Sequence, residues 1–146
     1  MTAAYGDVAR MYGLPTWGTA GCSDAKTLGQ ETGIESAFSC LAQALGGINL
    51  IHDVGYLDMG MICSAEMLVM GDEVIGVVKH FLQGIEVNAE TFAREVIERV
   101  APGGNFLPED HTCQYFRKEH WIPTLMARQK YDTWEREGRK TMGDRV

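Results

Sequence analysis

Basic runs are missing from this chain, and their absence removes a large class of functions. Its 146 residues carry 13 Lys and Arg against 20 Asp and Glu, a formal net charge of -7, and the cations are scattered. Nucleic-acid binding needs clustered Lys and Arg to release counterions, so the composition argues against nucleic acid, and against an anionic membrane surface for the same reason. No stretch reaches the roughly 18 apolar residues that a membrane span needs. The amino terminus lacks the charged and apolar regions of a signal peptide, so a cytoplasmic location is expected. The four cysteines, Cys22, Cys40, Cys63 and Cys113, form no CxxC pair, and free thiols are expected of them in a reducing compartment. Internal repeats and low-complexity tracts are absent too.

What is present is the composition of one ordinary globular domain, 45% hydrophobic with a mean hydropathy of -0.14. The chain is organised around residues 48–56, Ile-Asn-Leu-Ile-His-Asp-Val-Gly-Tyr. Ile48, Leu50, Ile51 and Val54 predict a strand buried on both faces, with His52 and Asp53 near its end. Residues 14–20 predict a second strand, running into Gly21-Cys22-Ser23-Asp24-Ala25-Lys26. Between the two, residues 26–45 place Ile34, Phe38, Leu41 and Leu45 at helical spacing, beside Ala37 and Ala42, and Gly46-Gly47 ends that helix. An amino-terminal helix is expected to bury Val8, Met11 and Tyr12 and to stop at Gly13, as if something precedes it. After a loop at 57–63, Ser64 is a candidate N-cap with Glu66 in the first turn. The helical pattern then runs from Met67 to Leu82, with a possible break at Gly71-Asp72.

Everything after Gly84 reads as helical. Asn88 is expected to cap a helix carrying Phe92, Val96 and Val100, stopped by Pro102-Gly103-Gly104. Pro108 opens a short helix through Lys118, residues 120–123 form a turn, and a last helix covers 124–137 with Leu125, Tyr131 and Trp134. Strand, helix, strand, helix implies parallel strands joined by a crossover. Two parallel strands leave both edges unpaired and do not make a stable sheet alone. A complete (β/α)8 barrel needs about 250 residues, so the expected fold is α/β: a partial (β/α)8 TIM barrel, its last two βα units in residues 1–87, with a helical extension in 88–146.

Active sites of parallel α/β folds sit at the carboxyl ends of the strands. That geometry puts His52, Asp53 and Tyr56 on one rim with Cys22, Ser23, Asp24 and Lys26. Each has a plain structural reading as well: His52-Asp53 as a pair bonded to backbone at a strand end, Trp17 and Tyr56 as core aromatics. The small residues 18–23 suggest a phosphate loop but fit neither GxGxxG nor GxxxxGK[ST]. Cys22 as a nucleophile with His52 as base, or zinc held by Cys22, His52 and Cys63, has no supporting signature, and no bound metal is expected. His111 and His120 read as surface or packing residues, and the methionines at 59, 61, 67 and 70 as core.

Five phrases occur in order: Gly-Leu-Pro-Thr-Trp-Gly-Thr-Ala-Gly-Cys-Ser-Asp-Ala-Lys (13–26), Asn-Leu-Ile-His-Asp-Val-Gly-Tyr-Leu (49–57), Glu-Met-Leu-Val-Met (66–70), Gly-Ile-Glu-Val-Asn (84–88) and Glu-His-Trp-Ile-Pro (119–123). Together they resemble the carboxyl-terminal part of the trimethylamine:corrinoid methyltransferase family. The resemblance implies a (β/α)8 barrel that moves a methyl group from a tertiary or quaternary amine, such as trimethylamine or glycine betaine, to a corrinoid (cobalamin) carried on a partner protein. The sequence shows no pyrrolysine, which resembles the bacterial branch that uses quaternary amines. It further implies that Trp17 and Tyr56 contact a cation, that His52 and Lys26 hold a substrate carboxylate if there is one, that Asp53 or Asp24 orients them, and that Gln30 adds a hydrogen bond. The competing expectation is a non-catalytic partial barrel that folds by forming a homo-oligomer.

Overall fold

The computed structural model describes residues 1–146, and the chain divides into two compact units, 1–82 with 123–146, and 83–122. The boundary expected at 87 falls just inside the second unit, and residues 123–146 belong with the first rather than with a helical extension.

The first unit begins with α1 (Thr2–Met11), followed by β1 (Trp17–Thr19), α2 (Gln30–Leu45) and β2 (Leu50–His52). β1 and β2 are parallel, with Trp17 opposite Leu50, Gly18 opposite Ile51 and Thr19 opposite His52, so α2 is the crossover. Register is fixed below the strands by a reciprocal clamp. Thr16 N–H donates to Asn49 Oδ1 at 2.9 Å, and Asn49 N–H donates to Thr16 Oγ1 at 3.0 Å. A hairpin of β3 (Tyr56–Leu57) and β4 (Ile62–Cys63) encloses a short 3-10 turn, Asp58–Gly60. It leads into α3 (Ala65–Gln83).

α1 stops at Gly13, whose φ is +66°, but Val8, Met11 and Tyr12 are exposed, contrary to expectation. The helix docks through Gly6 instead. A Cβ there would stand 2.7 Å from the Gly46 carbonyl oxygen, so only glycine admits the turn that ends α2 this closely. α2 departs from the pattern in the same way. Ile34 is 69% exposed and Phe38 73%, while the buried face is Thr32, Ser36, Cys40 and Gln43. Two of the three polar groups on this face have backbone partners: Thr32 Oγ1 donates to the Thr27 carbonyl at 2.9 Å, and Gln43 Nε2 donates to the carbonyl of Thr19, while Ser36 Oγ has none.

The core on the helix side of the sheet is Ala20, Cys40 and Val78, with Ile51, Leu41, Ala44 and Val74 packed against it. β2 is therefore covered on one face only, not on both. On the other face Leu50 is 50% exposed, beside Trp17, Thr19 and His52. α3 is capped as its sequence predicts, with Met67 N–H donating to Ser64 Oγ at 3.1 Å. It runs unbroken through Gly71-Asp72. A Cβ at Gly71 would meet Val54 Cγ1 at 2.2 Å, so this glycine admits Val54, two residues past β2, rather than breaking the helix. Of the four methionines expected in the core, Met67 and Met70 are buried there with Leu57, whereas Met59 and Met61 are exposed.

Segment 123–130 is not helical, and the last helix, α6 (Tyr131–Arg136), covers only six residues. The reason is Glu73, a carboxylate 5% exposed on α3. It accepts from Thr124 N–H and Oγ1, from Leu125 N–H at 2.8 Å and from Met126 N–H at 2.9 Å. These three amides donate to this carboxylate instead of to one another's carbonyls.

The second unit holds α4 (Arg94–Val100) and α5 (Asp110–Glu119); α6 (Tyr131–Arg136) lies back in the first unit. Asn88 accepts from Glu90 N–H and Thr91 N–H as a local turn, and the helix itself begins six residues later, after Ala93 at φ +49°. None of residues 83–122 is fully buried. Its order rests on polar contacts, including the ion pair of Arg99 with Glu109 and the stack of His111 on Tyr115 at 4.5 Å.

Candidate functional site

β1 and β2 end side by side, and their carboxyl ends carry the chemistry. His52 closes β2 opposite Thr19, and the chain then turns sharply at Asp53, whose φ is +74°. Aspartate tolerates that region better than most residues, and here the turn brings its carboxylate back to the preceding imidazole. His52 Nδ1 lies 2.8 Å from Asp53 Oδ1, and His52 Nε2 lies 3.5 Å from Thr19 Oγ1. Trp17, two residues earlier on the same face as Thr19, meets the His52 ring edge-on at 5.2 Å. It is 69% exposed, so it is a surface aromatic rather than a core one.

Beside this cluster is a concavity of about 130 Å³ lined by Thr19, Cys22, Asp53, Tyr56, Met59 and Gly60. The hairpin supplies its far wall, with Asp58 and Met59 both at positive φ. Non-glycine residues cost energy there and persist where the surroundings fix them. Burial pushes the Cys22 thiol up, and the charges of Asp53, Asp24 and Glu35 push it further. A thiol held in that state is a poor nucleophile. No group of three or more His, Cys, Asp or Glu side chains is arranged to hold a metal ion, so Cys22, His52 and Cys63 do not converge as a zinc site.

Four of the expected residues, Trp17, His52, Asp53 and Tyr56, thus share this rim. Of these four, Asp53 and Tyr56 line the concavity and Trp17 and His52 stand beside it, while the other three expected residues make contacts elsewhere. Lys26 Nζ donates to the Asp24 carbonyl at 2.8 Å and pairs with Asp58 at 3.2 Å. Asp24 donates its N–H to Glu35 at 2.9 Å, and Gln30 is exposed at the start of α2. Glu35 also accepts from Ser23 Oγ, whose hydrogen bond, with that of Asp24, holds the Glu35 carboxyl below its usual range. A carboxylate of the chain therefore occupies the place that a phosphate would need in the small-residue loop. Glu35 was not legible from the sequence as a partner of residues 23 and 24, and the pattern reads Met59 as core, whereas the hairpin brings it to the pocket lining.

The profile of the trimethylamine methyltransferase (MTTB) family matches residues 1–146. The chain belongs to this family. A glycine betaine methyltransferase of Desulfitobacterium hafniense is 37% identical over 140 residues, 95% of this chain and 29% of that protein. A trimethylamine methyltransferase of Methanosarcina mazei is 36% identical over 142 residues, 97% of this chain and 28% of the relative. Another from Desulfitobacterium hafniense is 31% identical over 146 residues, the whole chain and 29% of the relative. The chain therefore spans less than a third of the length of these family members. No helix is long and apolar enough to cross a membrane.

Proposed function

We propose that the chain forms part of an amine methyltransferase and contributes one wall of its substrate site. The observation that carries this is the rim of Trp17, His52, Asp53 and Tyr56 at the ends of two parallel strands, in a chain of the trimethylamine methyltransferase family. An ammonium bound here transfers a methyl group when its C–N bond breaks with the electron pair left on nitrogen. The product is a neutral amine, so a quaternary ammonium needs no Lewis acid to leave. A reduced corrinoid carried by a separate protein would supply the electron pair to which the methyl group moves. The concavity of about 130 Å³ is far too small for a corrin ring, and Trp17 beside it is open, which fits a corrinoid presented by a partner rather than held by this chain. The chain's own residues orient the substrate.

The same reading accounts for the fold. Two short parallel strands with one face and both outer edges open are two βα units of a (β/α)8 barrel, whose remaining strands would cover Trp17, Leu50 and His52 from the lumen side. The exposed Ile34 and Phe38 of α2 favour a second reading, in which the chain is inert until such surfaces are covered by a homo-oligomer or by the rest of a barrel. Light scattering combined with methyl transfer to cob(I)alamin from trimethylamine and glycine betaine tests both. Transfer by an oligomer of the chain supports a rebuilt site. Transfer absent from the chain and restored by a polypeptide carrying the remaining units supports the inert part. Absence under both conditions overturns the proposed activity.

A further inference from the structure

The hairpin that forms the far wall of the concavity is too small to hold its own shape. Its strands pair over two residues each, Tyr56 with Cys63 and Leu57 with Ile62, and an isolated two-stranded hairpin is marginal even when longer. Its turn is strained, because Asp58 and Met59 both sit at positive φ, where non-glycine residues persist only when their surroundings fix them. Leu57 anchors one side in the core with Met67 and Met70. The pocket side is stitched to the loop after β1. Ser23 N–H donates to the Tyr56 carbonyl and Asp58 N–H to the Ala25 carbonyl, both at 3.0 Å, and Lys26 pairs with Asp58. That loop is in turn held by two side chains one turn apart on α2. Ser39 Oγ accepts Gly21 N–H at 3.1 Å, and Glu35 Oε2 accepts from both Ser23 Oγ and Asp24 N–H, the latter at 2.9 Å. Ser23 is buried, so its hydroxyl depends on a partner inside the chain, and a bond to an ionised acceptor is roughly twice as strong as a neutral one.

We propose that Glu35 is a positioning residue for this wall: from α2 it fixes the loop 21–26, and through the loop it places Tyr56 and the turn 58–60. This rests on the reading of the wall as part of the substrate site of an amine methyltransferase, and it adds a residue that lines no part of the concavity. Ser23 is the joint, since its hydroxyl donates to Glu35 and its amide donates to Tyr56.

The test is amide hydrogen exchange of the isotope-labelled chain, read by two-dimensional NMR, for Glu35→Ala and Glu35→Gln. Glu35→Ala is expected to speed exchange at Ser23, Asp24 and Asp58 by on the order of tenfold or more. Leu50 N–H, which donates to the Thr16 carbonyl at 3.1 Å, and the amide of Val78 in α3 should keep their rates. Glu35→Gln, whose one amide oxygen can accept both bonds without the charge, should restore most of the protection. Faster exchange confined to Ser23 and Asp24, with Asp58 unchanged, overturns the link to the hairpin. A uniform rise that includes Leu50 and Val78 overturns positioning in favour of general stability. The site reading is tested separately, by methyl transfer to cob(I)alamin from trimethylamine with the chain complemented by a polypeptide carrying the remaining units. There Glu35→Ala should raise KM by on the order of tenfold with a smaller effect on kcat, and Glu35→Gln should restore it. An unchanged KM beside a freed Asp58 amide keeps Glu35 as the residue that places the hairpin and removes the hairpin from the substrate site. No transfer even by the complemented wild-type chain overturns the methyltransferase reading itself.

Discussion

The Oε1 atom of Glu73 accepts the N–H of Leu125 at 2.8 Å, fastening α3 to a segment 52 residues further along the chain. With the bonds from Thr124 and Met126, one buried carboxylate satisfies three successive amides and a hydroxyl. Glu73→Ala removes the acceptor and leaves those donors to find water, so it should cost about 2–4 kcal/mol in urea unfolding. It should also open the segment around Arg128 and Lys130 to trypsin under native conditions. Unchanged stability and unchanged cleavage would show that the carboxylate is not what holds the segment.

Acid should act through the same group. Burial works to raise the Glu73 carboxyl, but the hydrogen bonds from Met126, Thr124 and Leu125 outweigh it and hold it below the ordinary 4.5. A depressed folded pKa stabilises the protein fully above the unfolded value, and that contribution is lost as pH falls through the folded one. Glu35, lowered by Ser23, and Glu66, lowered by its own amide and by Ser64, act in the same direction. Stability should therefore fall steadily below about pH 4.5, and Glu73→Gln should flatten part of that slope. An identical acid profile for the variant contradicts the assignment.

Gly71 and Val54 should be coupled. A Cβ at Gly71 meets Val54 Cγ1 at 2.2 Å but Val54 Cβ at only 3.8 Å. Gly71→Ala is expected to destabilise by roughly 1–3 kcal/mol through overpacking, and Val54→Ala alone by a cavity cost of about 1–2 kcal/mol. In the double variant the new methyl occupies the vacated space, so the loss should be clearly smaller than the sum. Additive losses would mean that the two do not touch.

Ser64 carries the N-cap of α3 through its bond from Met67 N–H at 3.1 Å. Ser64→Ala should cost about 1 kcal/mol, read as a shift in the urea midpoint with unchanged slope. Ser64→Asp should keep most of it.

His52→Ala separates a binding role from a structural one. The side chain is half-buried and its bonds run to Asp53 and Thr19 at the open rim, so thermal stability should move little. Loss of the Trp17 contact should weaken binding of tetramethylammonium several-fold, by about 0.5–1 kcal/mol. Equal loss of stability and binding favours the structural alternative.

The sequence by itself determined the local punctuation. Gly13, Gly47 and Gly84 stand at positive φ where helices or turns end, Ser64 caps α3, and two short apolar runs with polar ends become parallel strands whose tips carry His52 and Asp53. These are decided within a few residues by backbone sterics and by side-chain caps, and so can be read directly. Tertiary structure alone decided which faces are buried. Ile34 and Phe38 lie outside while Thr32, Ser36 and Gln43 lie inside; Gln43 donates there to the carbonyl of Thr19 on a strand 24 residues away, and periodicity does not reveal that carbonyl. The same holds for the site. That Lys26 is spent on Asp58, and that Met59 and Thr19 close a pocket around Asp53, follows from a hairpin folding back over a strand end, a long-range contact that no local spacing encodes.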